Sequence, residues 1–391
     1  MRAGNGKRIF VVSYFAYGCI YIARMNLTVA SPFLQESGNV TPMQIGLMGS
    51  AFFWLYSVGQ LLNGFLGDIL QPKTMVMTGL LGTALSNIAI GLMPGPEAMI
   101  ALWGVNGFSQ SMLWGPLLSL AGQCFPPEKK KISASVLVSS VGTGSVLGVF
   151  AAAAAIGTGR LGNAFLLPGL LALAAFGAAA FFLPKAGQRM ETGPRGRRKG
   201  VFGPWFLLML AAAMLHGVLK DNINLWMADF FMDTYSVNLA EMSFYVFAIP
   251  VLSLAGRLIY PFLYVWLGKQ EHRVSAAALL VTMLSLVPLC MPGIRPAAAA
   301  VCLSTAAAAV SVVNTSFLTM YPMRFEKNGC VSGIVGMMDF ATYAGAGLSS
   351  WAYGCLLEQN GYPAMFFSWI VFAAAALMIL SIVQKKENSN E

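Results

Sequence analysis

Residues 21–26 read YIARMN and set a guanidinium, Arg24, inside an apolar run that begins at Ile9. Arg24 follows Ile9 by 15 residues, which at about 1.5 Å per residue puts it roughly 22 Å into the segment. That is too far from either surface for easy snorkelling. A cation at mid-membrane costs at least about 2.5–3.5 kcal/mol on insertion scales, so one that persists points to a bound anion or to a carboxylate partner. HGVLKD, residues 216–221, adds a second set. His216 and Lys220 stand four apart on one helical face, with Asp221 beside them. A further acid, Asp339, lies in GIVGMMDFATYAGAG; it pairs with Arg24 or Lys220, or carries a proton. Arg24 and Lys220 against Asp221 and Asp339 sum to zero, so an incoming anion must displace an internal carboxylate or await its protonation.

A guanidinium offers a planar two-pronged donor set that matches a tetrahedral oxyanion or a carboxylate. Other chemistries lack support. The six cysteines are scattered singly, with no CxxC pair, which argues against a disulfide framework and a metal site. No nucleophile, base and acid set suggests an enzyme, and nothing implies a cofactor. GTGSVLG, residues 142–148, contains a GxG but has no strand before it and no Lys-Ser/Thr after it, so it reads as close helix packing rather than a phosphate loop.

The elements that must position these groups are membrane spans. Of 391 residues, 57% are apolar and 10% charged, where a soluble protein carries about 25% charged residues. Apolar stretches long enough to cross a hydrocarbon core roughly 30 Å thick recur along the chain. They fall near 9–34, 43–66, 74–94, 97–122, 132–156, 161–183, 203–230, 240–262, 274–292, 296–321, 331–356 and 362–383, twelve in all. The first is too long for a signal-peptide core and lacks a small-residue cleavage site, so it reads as a retained span. Nineteen of the 24 Lys and Arg residues fall at the termini or in even-numbered loops, against Arg160 and Arg295 in odd-numbered ones. By the positive-inside rule both termini are cytoplasmic. The net charge of +9 is therefore a topology signal with anionic lipid as its partner rather than nucleic acid.

The polar, basic stretch 185–202 divides the chain at its middle into two six-helix halves, 1–184 and 203–391. PPEKKKIS (126–133) is echoed by RFEKNGCVS (324–332), and GRLGNAF (159–165) by NGYPAMF (360–366). With the charge pattern, these echoes suggest two parallel repeats around a site at the bilayer midplane.

GFLGDILQPK (64–73) resembles the G-x-L-x-D-[RK] loop of the major facilitator superfamily, with Asp68 as its acid and Ile69 in place of the cation. The second-half counterpart, GRLIYP (256–261), keeps Gly256 but has Tyr260 where the acid would stand. YIARMN in the first span, GFSQSMLWGP (107–116) in the fourth and HGVLKD in the seventh resemble the organophosphate:phosphate antiporters, which include glycerol-phosphate and hexose-phosphate transporters. The resemblance implies that Arg24 meets the substrate phosphate, and that Asp221 belongs to an ion pair regulating opening. This chain departs from the family at three places. Leu215 stands where the family has a second clamping arginine, Ser139 where it has a fifth-span histidine, and Gln60 where the glycerol-phosphate branch has a lysine.

The combined reading is an all-α membrane protein of twelve transmembrane helices in two pseudo-symmetric six-helix bundles. It implies a monomeric transporter of the bacterial inner membrane that moves a small organic anion, a phosphorylated metabolite, with inorganic phosphate or protons as counter- or co-substrate. Arg24, His216, Lys220, Gln60, Tyr21, Asn26 and Ser139 are the expected substrate contacts; Asp221, Asp339 and Asp68 are the expected coupling or gating groups. A proton-coupled carboxylate or sugar-acid symporter is the alternative, since anion:cation symporters also carry Arg-x-Asn in the first span. A transporter-like sugar-phosphate sensor is a third reading.

Overall fold

The computed structural model describes residues 3–38, 40–66, 70–123, 130–184, 203–325 and 331–388. Asp68 and the 185–202 stretch lie outside them. Everything described is helix or short connection. The helices are α1 (Ala3–Glu36), α2 (Pro42–Leu66), α3 (Pro72–Gly91), α4 (Pro96–Ser111), α5 (Trp114–Gln123), α6 (Lys130–Ile156), α7 (Asn163–Phe182), α8 (Pro204–Tyr235), α9 (Leu239–Trp266), α10 (Glu271–Leu286), α11 (Pro296–Thr315), α12 (Tyr321–Met323) and α13 (Val331–Asn388). Ten helical stretches among the described residues are long and apolar enough to cross a membrane.

Two local features separate that figure from the twelve expected spans. Residues 96–123 are split between α4 and α5, because Pro116 has no N–H and its ring excludes the carbonyl of Met112. The 58-residue α13 contains Gly361 at φ 71°, ψ −178°, a non-helical point that divides it into two arms. Gly suits that left-handed φ because it has no Cβ. A π-helical turn, Ser316–Met320, joins α11 to α12; Pro322 just beyond it excludes the carbonyl of Leu318, and the widened turn accommodates this.

The chain divides into two compact units: Met1–Glu191 with Val237–Ser243, and Thr192–Ser236 with Phe244–Glu391. In the first, α1 packs on α6 and α7, α2 on α4, and α3 on α4 and α7. In the second, α8 runs along α13, and α10 packs on α11 and α13.

Lipid is as apolar as leucine, so helices in a bilayer associate through close van der Waals packing of small residues rather than through the hydrophobic effect. α7 follows that logic. Ala172, Ala175 and Ala179 are fully buried, while Leu170 and Phe181 point outward, Phe181 at 86% exposure. The GTGSVLG stretch is packing surface as well: a Cβ on Gly144 would strike the Gly18 carbonyl, and one on Gly148 would lie 3.0 Å from Ile22 Cα. Lys73, at the start of α3, donates its Nζ to the carbonyls of Ala180 (2.6 Å) and Leu183 (2.8 Å), satisfying the exposed end of α7 with a cation where the helix dipole favours one.

Candidate functional site

In the first unit the site is built on α1, α2 and α4. Arg24 is partly buried on α1, and its guanidinium carbon lies 4.7 Å from the ring centre of Phe52, 5.4 Å from Tyr56, and 5.7 Å from Tyr21 and Phe53. Phe52, Phe53 and Tyr56 come from adjoining turns of α2, and Tyr21 from the preceding turn of α1. Rings around a guanidinium attract it electrostatically, by about 0.5–1 kcal/mol each at exposed sites and more when desolvated. They surround the cation on the side of α2 and on the preceding turn of α1. Gln60 is one turn beyond Tyr56 and donates Nε2 to its hydroxyl at 2.8 Å. Phe52 is positioned in turn by Gly107 of α4, where a Cβ would collide with the Phe52 backbone.

α4 also fixes α1. Asn106 Nδ2 donates to the Ala23 carbonyl at 3.2 Å, and Gln110 Nε2 donates to the Ile20 carbonyl at 3.2 Å and to Asn106 Oδ1 at 3.1 Å. These two fully buried amides brace the turn of α1 that carries Arg24. Ser139 on α6 donates to the Val136 carbonyl at 2.7 Å and lies 3.3 Å from the Tyr14 hydroxyl. Asn26, also expected as a substrate contact, lies inside the bundle. It is fully buried, and its Nδ2 donates to Asn87 Oδ1 at 2.8 Å and to the Ala164 carbonyl at 3.2 Å. Its amide is taken up by these bonds inside the bundle.

In the second unit α8 carries the expected groups. His216 is buried, with its Nε2 3.4 Å from Asn314 Oδ1 and its ring edge-on to Phe317 at 5.7 Å. Lys220 Nζ lies 2.9 Å from Asp221 Oδ2 and 4.5 Å from the Tyr343 ring centre. This arrangement requires α8 and α13 to approach closely, and glycines permit it: a Cβ on Gly217 would strike the Thr342 carbonyl, and one on Gly345 the Met214 carbonyl. Asp339 sits one helical turn before Tyr343 on α13 and is partly buried. Helical spacing therefore puts it on the face that presents the ring to Lys220. Leu215, in place of the family's second arginine, is partly buried and apolar.

Several contributors escaped sequence reasoning. Phe52, Phe53 and Tyr56 were legible as an aromatic cluster at helical spacing, but only contact with Arg24 makes them a cage. Asn106 and Gln110 are two amides at i, i+4 in an apolar span, a signal of interhelical bonding. Tyr343 carried no signal beyond its spacing from Asp339. Asp229 and Asp233 fall late in the seventh span: Asp229 is buried, and Asp233 Oδ2 accepts from the Tyr362 hydroxyl at 2.6 Å. At the ends of α10 and α12, Arg324 pairs with Glu271 and donates Nη2 to His272 Nε2 at 2.8 Å.

The family model described as Major Facilitator Superfamily matches residues 13–346. A probable hexose phosphate transport protein of Chlamydia muridarum is 28% identical over 166 residues, 42% of this chain and 36% of that one. A phosphoglycerate transporter protein of Salmonella typhimurium is 32% identical over 147 residues, 37% of this chain and 31% of that one. The chain thus spans about a third of the length of the curated relatives it matches. Among solved structures, a bacterial homolog of the human lysosomal transporter Spinster superposes with a TM-score of 0.79 at 12% identity, covering 97% of both chains. The nucleoside transporter NupG gives a TM-score of 0.74 at 14% identity, covering 98% of this chain and 99% of that one. These two likenesses establish the fold.

Proposed function

The chain belongs to the Major Facilitator Superfamily, and we propose that it is a secondary transporter of a small organic anion, a phosphorylated metabolite, working by alternating access. The names of the hexose phosphate and phosphoglycerate relatives support that substrate class. The observation that carries the reading is the Arg24 guanidinium held among Tyr21, Phe52, Phe53 and Tyr56 within a membrane-spanning helix. The protein retains a costly intramembrane cation in an aromatic surround, and a guanidinium matches a phosphate or carboxylate in shape and charge.

In this reading the two halves, 1–184 and 203–391, each contribute six crossings and both termini are cytoplasmic, in the inner membrane. Counting 96–123 as one interrupted crossing and α13 as two reaches twelve. Arg24 is the principal ligand, with Tyr21, Gln60 and Ser139 as polar neighbours and His216 and Lys220 as contributors from the second half. Asp221 and Asp339 tune the charge of Lys220, and Asp68 gates. Substrate binding shifts the population between access states by favouring the one it fits best. The protein acts as a monomer without catalysing a covalent step.

A second reading has a specific observation behind it. Asp221 lies 2.9 Å from Lys220 and offsets its charge, which suits a monoanionic carboxylate as well as a phosphate ester, and then a proton gradient would drive uptake. Proteoliposomes loaded with inorganic phosphate separate the two. Uptake of a labelled sugar phosphate that requires internal phosphate supports exchange; uptake indifferent to internal phosphate and abolished by collapsing the proton gradient supports the symporter.

A further inference from the structure

The first unit contains a cleft away from Arg24. It lies between α1 and α6, has a volume of about 250 Å³, and is lined by Phe10, Tyr14, Phe15, Gly18, Ile22 and Leu147 among others. Its shape follows from the glycines of α6. Gly144 and Gly148 bring that helix against α1 at Gly18 and Ile22, and the larger side chains on the earlier turns of α1 leave an open groove rimmed by exposed Val11, Phe15 and Leu147.

The groove is apolar because its hydroxyls face one another. Tyr14 Oη and Thr143 Oγ1 are 2.9 Å apart, which leaves carbon as the lining, and an apolar cavity of this kind does not hold ordered water. Phe10 to Ile22 covers 13 residues of α1, whose successive rises add to roughly 18 Å of helix. That is close to half of a hydrocarbon core roughly 30 Å thick, the depth of one leaflet. At the groove's outer end stand Lys7 and Arg8, both exposed. They precede Val11 by four and three residues, so they lie on the face of α1 that lines the groove, at the point where apolar sequence begins.

We propose that this cleft holds one acyl chain of an anionic glycerophospholipid, whose phosphate headgroup rests against Lys7 and Arg8. The groove is matched to an acyl chain by its lining and length, and the cations at its mouth select an anionic headgroup over a zwitterionic one. The site is separate from the Arg24 cage and does not depend on which substrate is carried.

Native mass spectrometry of the full chain, released from micelles containing equal phosphatidylglycerol and phosphatidylethanolamine, tests this. The wild type should keep one phosphatidylglycerol after detergent is stripped. Gly18→Leu fills the groove without a backbone clash, since a Cβ there meets nothing nearer than the Ser140 carbonyl at 3.9 Å, and it should lower occupancy by about tenfold. Gly177→Leu, where a Cβ meets nothing within 4 Å, adds the same side chain elsewhere and should leave occupancy unchanged. Lys7→Gln with Arg8→Gln should erase the preference for phosphatidylglycerol, by about fivefold per charge. If Gly18→Leu does not fold, Leu147→Gln on the rim should weaken retention in its place. Full retention in the groove variants overturns the proposal, as does equal loss in Gly177→Leu, an undiminished preference without the two cations, or a groove occupied by a second copy of the chain.

Discussion

Gln110 on α4 donates its Nε2 to the Ile20 carbonyl on α1 at 3.2 Å, one turn before Arg24. With Asn106 on the Ala23 carbonyl, it brackets the turn from which the guanidinium projects. Helical carbonyls already serve their own helix, so these second bonds act on orientation more than on helix formation. Gln110→Leu keeps the volume and removes the donor. It should weaken ligand affinity by about tenfold, while stability falls by about 1–3 kcal/mol because Asn106 Oδ1 loses its buried donor. Ligand titration beside a thermal melt distinguishes this from a simple loss of stability, which would lower the melting temperature and leave the affinity of the folded fraction unchanged.

Asn26 should behave in the opposite way. Replacing it with leucine leaves Asn87 without its donor in a buried site, at a cost of about 1–3 kcal/mol. The melting temperature should drop, while the ranking of anions by ligand-induced stabilisation stays as in the wild type. A reordered ranking would return Asn26 to the ligand set.

Lys220 and Tyr343 give a graded test on the second unit. Tyr343→Phe keeps a ring face 4.5 Å from the ammonium and should transport at a rate close to wild type. Tyr343→Leu removes the face and about 0.5–2 kcal/mol of attraction, which should slow transport by roughly two- to thirtyfold. Equal rates in the two variants would show that the ring contributes bulk alone.

The all-helical, membrane-spanning architecture was largely legible in the sequence because a membrane span declares itself by length and apolarity. The break before Pro116 and the kink at Gly361 were harder to see, since each sits within an apolar run whose hydropathy continues across it. Arg24 was legible as an anomaly of composition. Its cage was not, because aromatic residues in spans are ordinarily core or lipid-facing, and only the fold, which seats α2 on α4, brings Phe52, Phe53 and Tyr56 near the cation. Asn26 shows the converse: a polar residue two positions from Arg24 shares its segment but not its face, and 200° of helical rotation carries it to Asn87 and Ala164.

The central claim is that Arg24 receives the substrate anion, and a thermal-shift screen of sugar phosphates, glycerol phosphates and sugar acids against the wild type and Arg24→Lys tests it most directly. Lysine keeps the charge but cannot reproduce the planar two-pronged donor set. Stabilisation by the best anion should fall by at least about tenfold in apparent affinity in Arg24→Lys. If every anion that stabilises the wild type stabilises Arg24→Lys at the same concentration, Arg24 is a packing cation and the proposed site is wrong.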